Sequence, residues 1–528
     1  MRVCAVLVAV IATYWTVPWQ PKCFVRPRHF VSKRGRVCKH ADTVQGTKLP
    51  ELSTGVESFE DLRLDEPPCA YVDKTGFLPK LVGVRRQHLL TRPRRFGKTL
   101  LLDTIRCIFM DNGPKMDNMF DLLLDTIHGI FIQRDSKKDA LFKGLDITKT
   151  DEGKNLLKQQ RPVVFLRMNK CADERGIDAL ESEINERIIE EARRNGVNDV
   201  QPSQKSCGTT LSRAIYAIRE KHNKKRVVLL VDEFDGPLTA VLEANGGETD
   251  ERVRENLSVL KGLYKSCKAL VAEGNFYYSM YAGLTTFGAT ALFSGFNQVK
   301  HMSNAESLAA VAGFTEQEVE KCYPGHLDLL LRNSSATLRD LSKESGGYRF
   351  SSADVSVFCP WALLNLLDDA CDRRGAEDEW NAMTPEWLQK LLNRRVLKDI
   401  QKKMQGWQRL SDLKKVDVAS IKDLSIGTKV SLLQQTGYLT FKDTTEINGQ
   451  MYAKLGVPNS GALRSFWREP LKRANIKDDV EFSPGPLLDK LKFGVELSVG
   501  VAEATQGEPN FVAPTFKPCD GCRHFSAS

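Results

Sequence analysis

Three continuous apolar runs punctuate the first two thirds of the chain: PVVFLRM (162–168), VVLLVDE (227–233) and NFYYSMYAGL (275–284). A strand with one face in water would carry a polar residue at every second position, so unbroken runs of this length predict strands buried on both faces. A shorter run, HLLT (88–91), predicts another strand, which breaks into the loop RPRRFGKT (92–99). Beyond the loop, Leu100, Leu101, Leu102, Ile105, Ile108 and Phe109 recur at the 3–4 spacing of a helical face. That helix is expected to end near Asp111-Asn112-Gly113-Pro114, where several stop signals coincide. Ile177, Leu180, Ile184 and Ile188 mark one side of a long charged helix. Strands alternating with helices need crossover connections, which predicts an α/β fold: an αβα core around a parallel sheet.

After about residue 315 the texture becomes helical, as in WALLNLLDDA (361–370) and EWLQKLLNRRVLKDI (386–400). One β element is expected there, a hairpin in which TGYLTF (436–441) and QMYAKLGV (450–457) flank a turn containing Asn448-Gly449. The pattern divides the chain into a leader at 1–50, a strand–helix core at 55–315, a mainly helical lid-like region with the hairpin at 316–470, and a tail at 471–528.

Composition narrows the classes. With 528 residues, 41% of them apolar, the chain holds enough material for two to four cores, which excludes disorder, collagen and a coiled-coil rod. Its 76 Lys+Arg exceed 67 Asp+Glu, but residues 1–50 carry nine of those bases against the single acid Asp42. The remainder is nearly neutral, so no global charge argues for a polyanion partner, although a local basic surface is compatible with it. Val3 to Pro21 contains no charge, and its apolar core of about a dozen residues suits a signal peptide better than a membrane span of ~20. The basic, acid-poor stretch that follows extends this toward a bipartite signal-plus-transit leader of the kind that directs entry to the secretory pathway and onward to an organelle. An uncleaved apolar N-terminus is the plainer alternative, and no stable transmembrane segment is expected in the mature chain. The 13 cysteines are scattered without disulfide-framework spacing, and Cys519, Cys522 and His524 supply only three of the four ligands of a zinc site.

The candidate chemistry lies in RPRRFGKT. A phosphate-cradling loop needs a strand ending, a turn whose N–H groups converge, a lysine for the β/γ-phosphates and a hydroxyl for Mg²⁺. Gly97, Lys98 and Thr99 provide the end of that pattern; Arg92 stands where its first glycine would be, and Pro93 removes a donor. A bare Gly-Lys-Thr is weak alone. It gains weight from Asp232 and Glu233 at the end of a buried strand, where ligands collect in open α/β sheets. There Asp232 suits Mg²⁺, and Glu233 suits orienting or deprotonating an attacking water. Arg94 and Arg95 are candidates for phosphate contact, Thr285 or Thr286 for a polar sensor, and Asp235 reads as a turn residue rather than a second base.

These segments resemble the predicted AAA-ATPase-like family often found with a PD-(D/E)xK nuclease-like domain. The resemblance rests on YVDKTGFLPKLV (71–82), LLTRPRRFGKTLLLDTI, LFKGLDI (141–147), VVLLVDEFDGPL, LFSGFNQV (292–299), GFTEQEV (313–319), GGYRF (346–350) with FCPWALLNLL (358–367), and KLGVPNSGALRSF (454–466), in family order over about 60–470. It implies a P-loop NTPase whose missing first glycine is a family feature. In Walker terms, the loop Arg94, Arg95, Phe96, Gly97, Lys98 and Thr99 would bind ATP, Thr99 and Asp232 would hold Mg²⁺, and Lys98, Asp232 and Glu233 would carry hydrolysis coupled to a conformational change on a protein or nucleic-acid client. A homo-oligomer is compatible with such a protein. Two departures stand out: Leu284-Thr285-Thr286 lacks the basic residue expected after the third strand, and Gly346 replaces an aspartate before Gly-Tyr-Arg-Phe. The segment 490–500 has Glu496 but no following lysine, so no nuclease activity is expected. The rival to an ATP hydrolase is a nucleotide-binding switch or scaffold with little or no turnover.

Overall fold

Five parallel strands form the central sheet: β1 (Gln87–Thr91), β2 (Val163–Arg167), β3 (Val227–Asp232), β4 (Phe276–Gly283) and β5 (Val299–His301). Their order is β2-β3-β4-β1-β5, so β4 is inserted between the strand that precedes the loop and the strand that ends in Asp232. The computed structural model describes residues 43–44, 47–65, 69–82, 87–110, 137–170, 177–244, 250–286, 289–292, 299–372, 386–413 and 424–474, all within one unit spanning Cys38–Ser528. The leader to residue 42, the expected helix stop at 111–114, residues 293–298 of LFSGFNQV, the segment 490–500 and Cys519, Cys522 and His524 lie outside the described residues.

Every residue of β3 is buried, and the reason is the period of two along a strand. Val227, Leu229 and Val231 face a core built with α2 (Ile177–Arg194), α3 (Cys207–Lys221) and α5 (Asp250–Ala272). Val228 and Leu230 face the opposite core, closed by α1 (Lys98–Phe109). Helices therefore cover both faces, as the unbroken apolar runs require. Leu180, Ile184 and Ile188 of α2 are buried as their spacing predicts, whereas Ile177 at the first position is 37% exposed, ahead of the first full turn against the sheet. β5 escaped the sequence pattern because it is three residues long and two of them, Lys300 and His301, are exposed.

Beyond the sheet the chain is mainly helical, with a small three-stranded antiparallel sheet. Its elements include α6 (Pro360–Asp372), α7 (Arg394–Gln405), β6 (Gln408–Arg409), α8 (Ile426–Gln435), β7 (Thr440–Ile447) and β8 (Gln450–Gly456), with sheet order β6-β8-β7. The pattern at 386–400 is not one helix but two. Asn393 sits between Glu386–Lys390 and α7, and its side chain accepts from Val396 N at 3.0 Å, capping the second helix. In the hairpin turn, Asn448 and Gly449 have φ of 51° and 72°, the pair of positive values that a two-residue hairpin turn of this type demands.

Among the described residues no helix is long and apolar enough to cross a membrane. Cys107, Cys207, Cys267 and Cys359 are buried free thiols.

Candidate functional site

The loop between β1 and α1 bends sharply because Arg95 and Gly97 both take left-handed conformations, φ 65° and 81°. Alternation of this kind forms anion-binding concavities of backbone amides, and α1 starts immediately beyond, with Leu101 N donating to Gly97 O at 3.0 Å. Phe96 between them is anchored in the core, 2% exposed, with its ring edge-on to Tyr348 and Phe350 at 4.9 and 5.4 Å. The loop is thus held by its aromatic centre while its flanks stay at the surface of a cavity of about 470 Å³.

Thr99 Oγ1 donates to Asp232 Oδ2 at 2.7 Å, tying the first turn of α1 to the end of β3. Glu233, the next residue, lines the cavity with Lys98 and Thr99. It is held at φ 50°, a left-handed conformation that costs a non-glycine residue on the order of 1–2 kcal/mol. Burial is the main cause that pushes its carboxyl up to about 7; neighbouring Asp232 adds to the shift and Lys98 opposes it. Lys98 is itself buried, and its Nζ donates to the carbonyls of Arg92 and Pro93 at 3.0 and 2.9 Å. Burial lowers its pKa, against the pull of Asp232, Glu233 and Asp235.

Asp235 is a brace. It is 1% exposed, and its carboxylate accepts from Leu284 N at 3.1 Å and from Thr285 N and Oγ1 at 2.8 and 3.0 Å, binding the turn after β3 to the end of β4. The two threonines expected as sensors are occupied otherwise: Thr285 by Asp235, and Thr286 by Gln435 at the end of α8, whose Oε1 accepts from Thr286 N at 2.6 Å. Gln435 Nε2 also donates to Leu413 O at 3.0 Å. Nothing in the sequence pattern announced Gln435, since its partner lies 149 positions earlier.

Arg92 is structural. Its guanidinium donates to the carbonyls of Thr91, Ser303 and Leu308 at 3.0, 2.6 and 3.1 Å and lies 4.3 Å from the centre of the Phe350 ring. Burial lowers its pKa to about 9, and the three carbonyls and the ring hold the charge. The position that a glycine would take in a standard loop therefore carries a cation turned into the protein. Arg94 pairs with Glu243 in α4 (Gly236–Ala244) at the surface, and Arg95 stacks 3.7 Å over Trp361. The guanidinium of Arg349 donates to Lys442 O and Ala353 O and pairs with Asp354.

The far walls come from segments for which the sequence pattern suggests no role: Tyr71 and Val72, Gly313 and Phe314, and Pro360 and Trp361 of α6. They are apolar where the loop wall is polar. Asp73 holds the first of these in place, accepting from Thr75 N at 2.8 Å and from Asp146 N at 2.6 Å, which joins YVDKT to LFKGLDI. Lys74 donates to Ala310 O at 2.8 Å and pairs with Glu318 at 2.6 Å, joining it to the segment around Gly313. Among the described residues no group of three or more His, Cys, Asp or Glu is placed to hold a metal.

A parallel αβα sheet, a glycine–lysine–threonine loop entering a helix, and an acidic pair at the end of a neighbouring strand define the class of P-loop nucleotide-binding domains. Residues 53–123 and 121–293 match the family model described as predicted AAA-ATPase. The match supports a general nucleotide-binding, ATPase-type role for this part of the chain. The chain is also 26% identical over 411 residues, 78% of its own length and 67% of the relative's, to an uncharacterized protein in the vnfD 5' region of Azotobacter chroococcum mcd 1. Its length carries that alignment past residue 293 into the helical region.

Proposed function

We propose that the chain is a Mg²⁺-dependent ATPase, with residues 55–315 as its nucleotide-binding unit and 316–470 as a lid-like region closing the cavity. The observation that carries this reading is the contact of Thr99 with Asp232, with Glu233 next in sequence facing the same cavity as Lys98. A volume of about 470 Å³ falls in the ~300–1,000 Å³ range of small-molecule sites.

The residues fit the ion. Mg²⁺ takes hard oxygen ligands, commonly one or two carboxylates with phosphate and water completing the set, and the Thr99 hydroxyl and Asp232 carboxylate already adjoin. Bound there, it would offset charge on the phosphates. Lys98 would leave the two loop carbonyls for phosphate oxygens, and the amides around Gly97 would receive the rest of the anion. Arg94 is the cation to recruit, since its exposed pair with Glu243 is worth only ~0–1 kcal/mol. Glu233, with its carboxyl near neutrality, is suited to take a proton from the attacking water. Gln435 and Thr286 would carry a change at the end of β4 into α8.

A second reading, a nucleotide switch with negligible turnover, is favoured by the tether of Lys98 to Arg92 and Pro93, which any phosphate must displace. Turnover of Mg-ATP by the full chain separates the two, measured beside K98A and E233Q with binding recorded in the same samples. The ATPase reading expects wild type to turn over, K98A to lose binding, and E233Q to bind with turnover lower by at least about 100-fold. Binding without turnover in wild type would favour the switch, and absence of binding would sink both.

A further inference from the structure

The structure assigns a second interaction surface to the face of α7 and the small sheet beside it: a docking site for the phosphate backbone of duplex DNA. α7 reads RRVLKDIQKKMQ, and its two sides are sharply sorted. Val396, Leu397 and Ile400 are buried, while Arg394, Arg395, Lys398, Lys402 and Lys403 are exposed, with Asp399 half-buried as the helix's single acid. Arg394, Lys398 and Lys402 stand four residues apart and form one stripe with a spacing of about 6 Å along the axis. Among the described residues none of the five cations stands in an ion pair. In a chain that is nearly neutral outside its leader, this is a marked local excess of positive charge.

The surface continues past the helix. Trp407 is 36% exposed with Lys454 Nζ 4.8 Å from its ring centre, and Arg409 in β6 lies 5.9 Å from the ring of Tyr452, its register partner in β8. The last described helix, Arg468–Arg473, packs against α7 and exposes Arg468, Lys472 and Arg473 against the single acid Glu469.

Charge complementarity selects the occupant. An anionic membrane would draw on an apolar helix face, but the apolar side of α7 is consumed by the core. A single strand would call for several stacking aromatics, and here Trp407 is the exposed one beside the helix. A straight row of cations on a rigid helix about 18 Å long suits the regular phosphates of a duplex, which offers about one charge per 1.7 Å.

The test is fluorescence anisotropy of the full chain with a short labelled DNA duplex, titrated between about 50 and 200 mM salt. Wild type should bind with a log–log salt slope of about −3 to −5. The variant R394E/K398E/K402E should lose affinity on the order of 100-fold at the low-salt end, with a slope flatter by about 3. K221E/K224E/K225E changes net charge equally at another exposed basic stretch and should bind like wild type; thermal melts of both variants report on folding. No duplex binding by wild type, an equal loss in both variants, or tighter binding to phosphatidylserine vesicles or to single strands would each overturn the assignment.

Discussion

Replacing Glu233 by glutamine keeps the shape of the side chain and removes its charge, so its effect on stability isolates what burying that carboxylate costs. In the folded protein the group titrates near 7 against an ordinary value of 4.5. Between those values the native state holds more protons than the unfolded one, so stability falls as pH rises through this window and stays lowered above it. At ~1.4 kcal/mol per pKa unit the shift corresponds to at most about 3 kcal/mol at pH 8 and less than about 1 kcal/mol at pH 5. Glutamine does not bear this cost. E233Q should therefore be more stable than wild type at pH 8 by about 1–3 kcal/mol, with the advantage mostly gone at pH 5. Urea unfolding of both proteins at the two pH values, compared through midpoint and slope, measures it. A variant no more stable than wild type at pH 8, or equally favoured at both pH values, would refute the claim that burial is what raises this carboxyl. The same destabilised group is the proposed base, so a gain in stability and a loss of turnover are expected from one substitution.

Two further substitutions test the surroundings. R92G, which restores the glycine of a standard phosphate loop, should destabilise by about 3–5 kcal/mol, because Thr91, Ser303 and Leu308 lose a buried charged donor, and should leave nucleotide affinity no better; calorimetric melting and a fluorescent-nucleotide titration report the two effects. G283A places a methyl group 2.5 Å from Asp235 Oδ1 and from Phe234 Cε1 at the buried end of β4, and should cost about 1–3 kcal/mol in urea unfolding, whereas an unchanged midpoint would mean the brace between β3 and β4 yields easily.

Much of this architecture was written in local patterns. Buried strands appear as unbroken apolar runs because both faces are covered, and Asn448-Gly449 fixes the hairpin turn by its backbone demands alone. Gly97, Lys98, Thr99, Asp232 and Glu233 were legible as a group because each sits at a strand end or helix start. The rest was hidden because its logic is tertiary. Arg92 looks like a lapse in a loop motif until the three carbonyls around it are seen. Asn393 divides what reads as one helical pattern, since a cap competes with periodicity and wins locally. Tyr71, Phe314 and Trp361 share a cavity wall with no common spacing to mark them.

The loop is also held from behind by residues that come much later in the chain. A side chain at Gly437 would meet Pro93 Cγ at 2.8 Å, Thr286 is bonded to Gln435, and Phe96 rests on Tyr348 and Phe350. On the ribosome, roughly 340 residues separate Pro93 from Gly437, which at ~5–20 residues per second is a delay of tens of seconds. Throughout that interval the loop lacks the support of Gln435 and Gly437, and until roughly 250 residues after it have been made the ring of Phe96 lacks Tyr348 and Phe350 as well. The pocket as described can therefore be completed only after the hairpin region has been made.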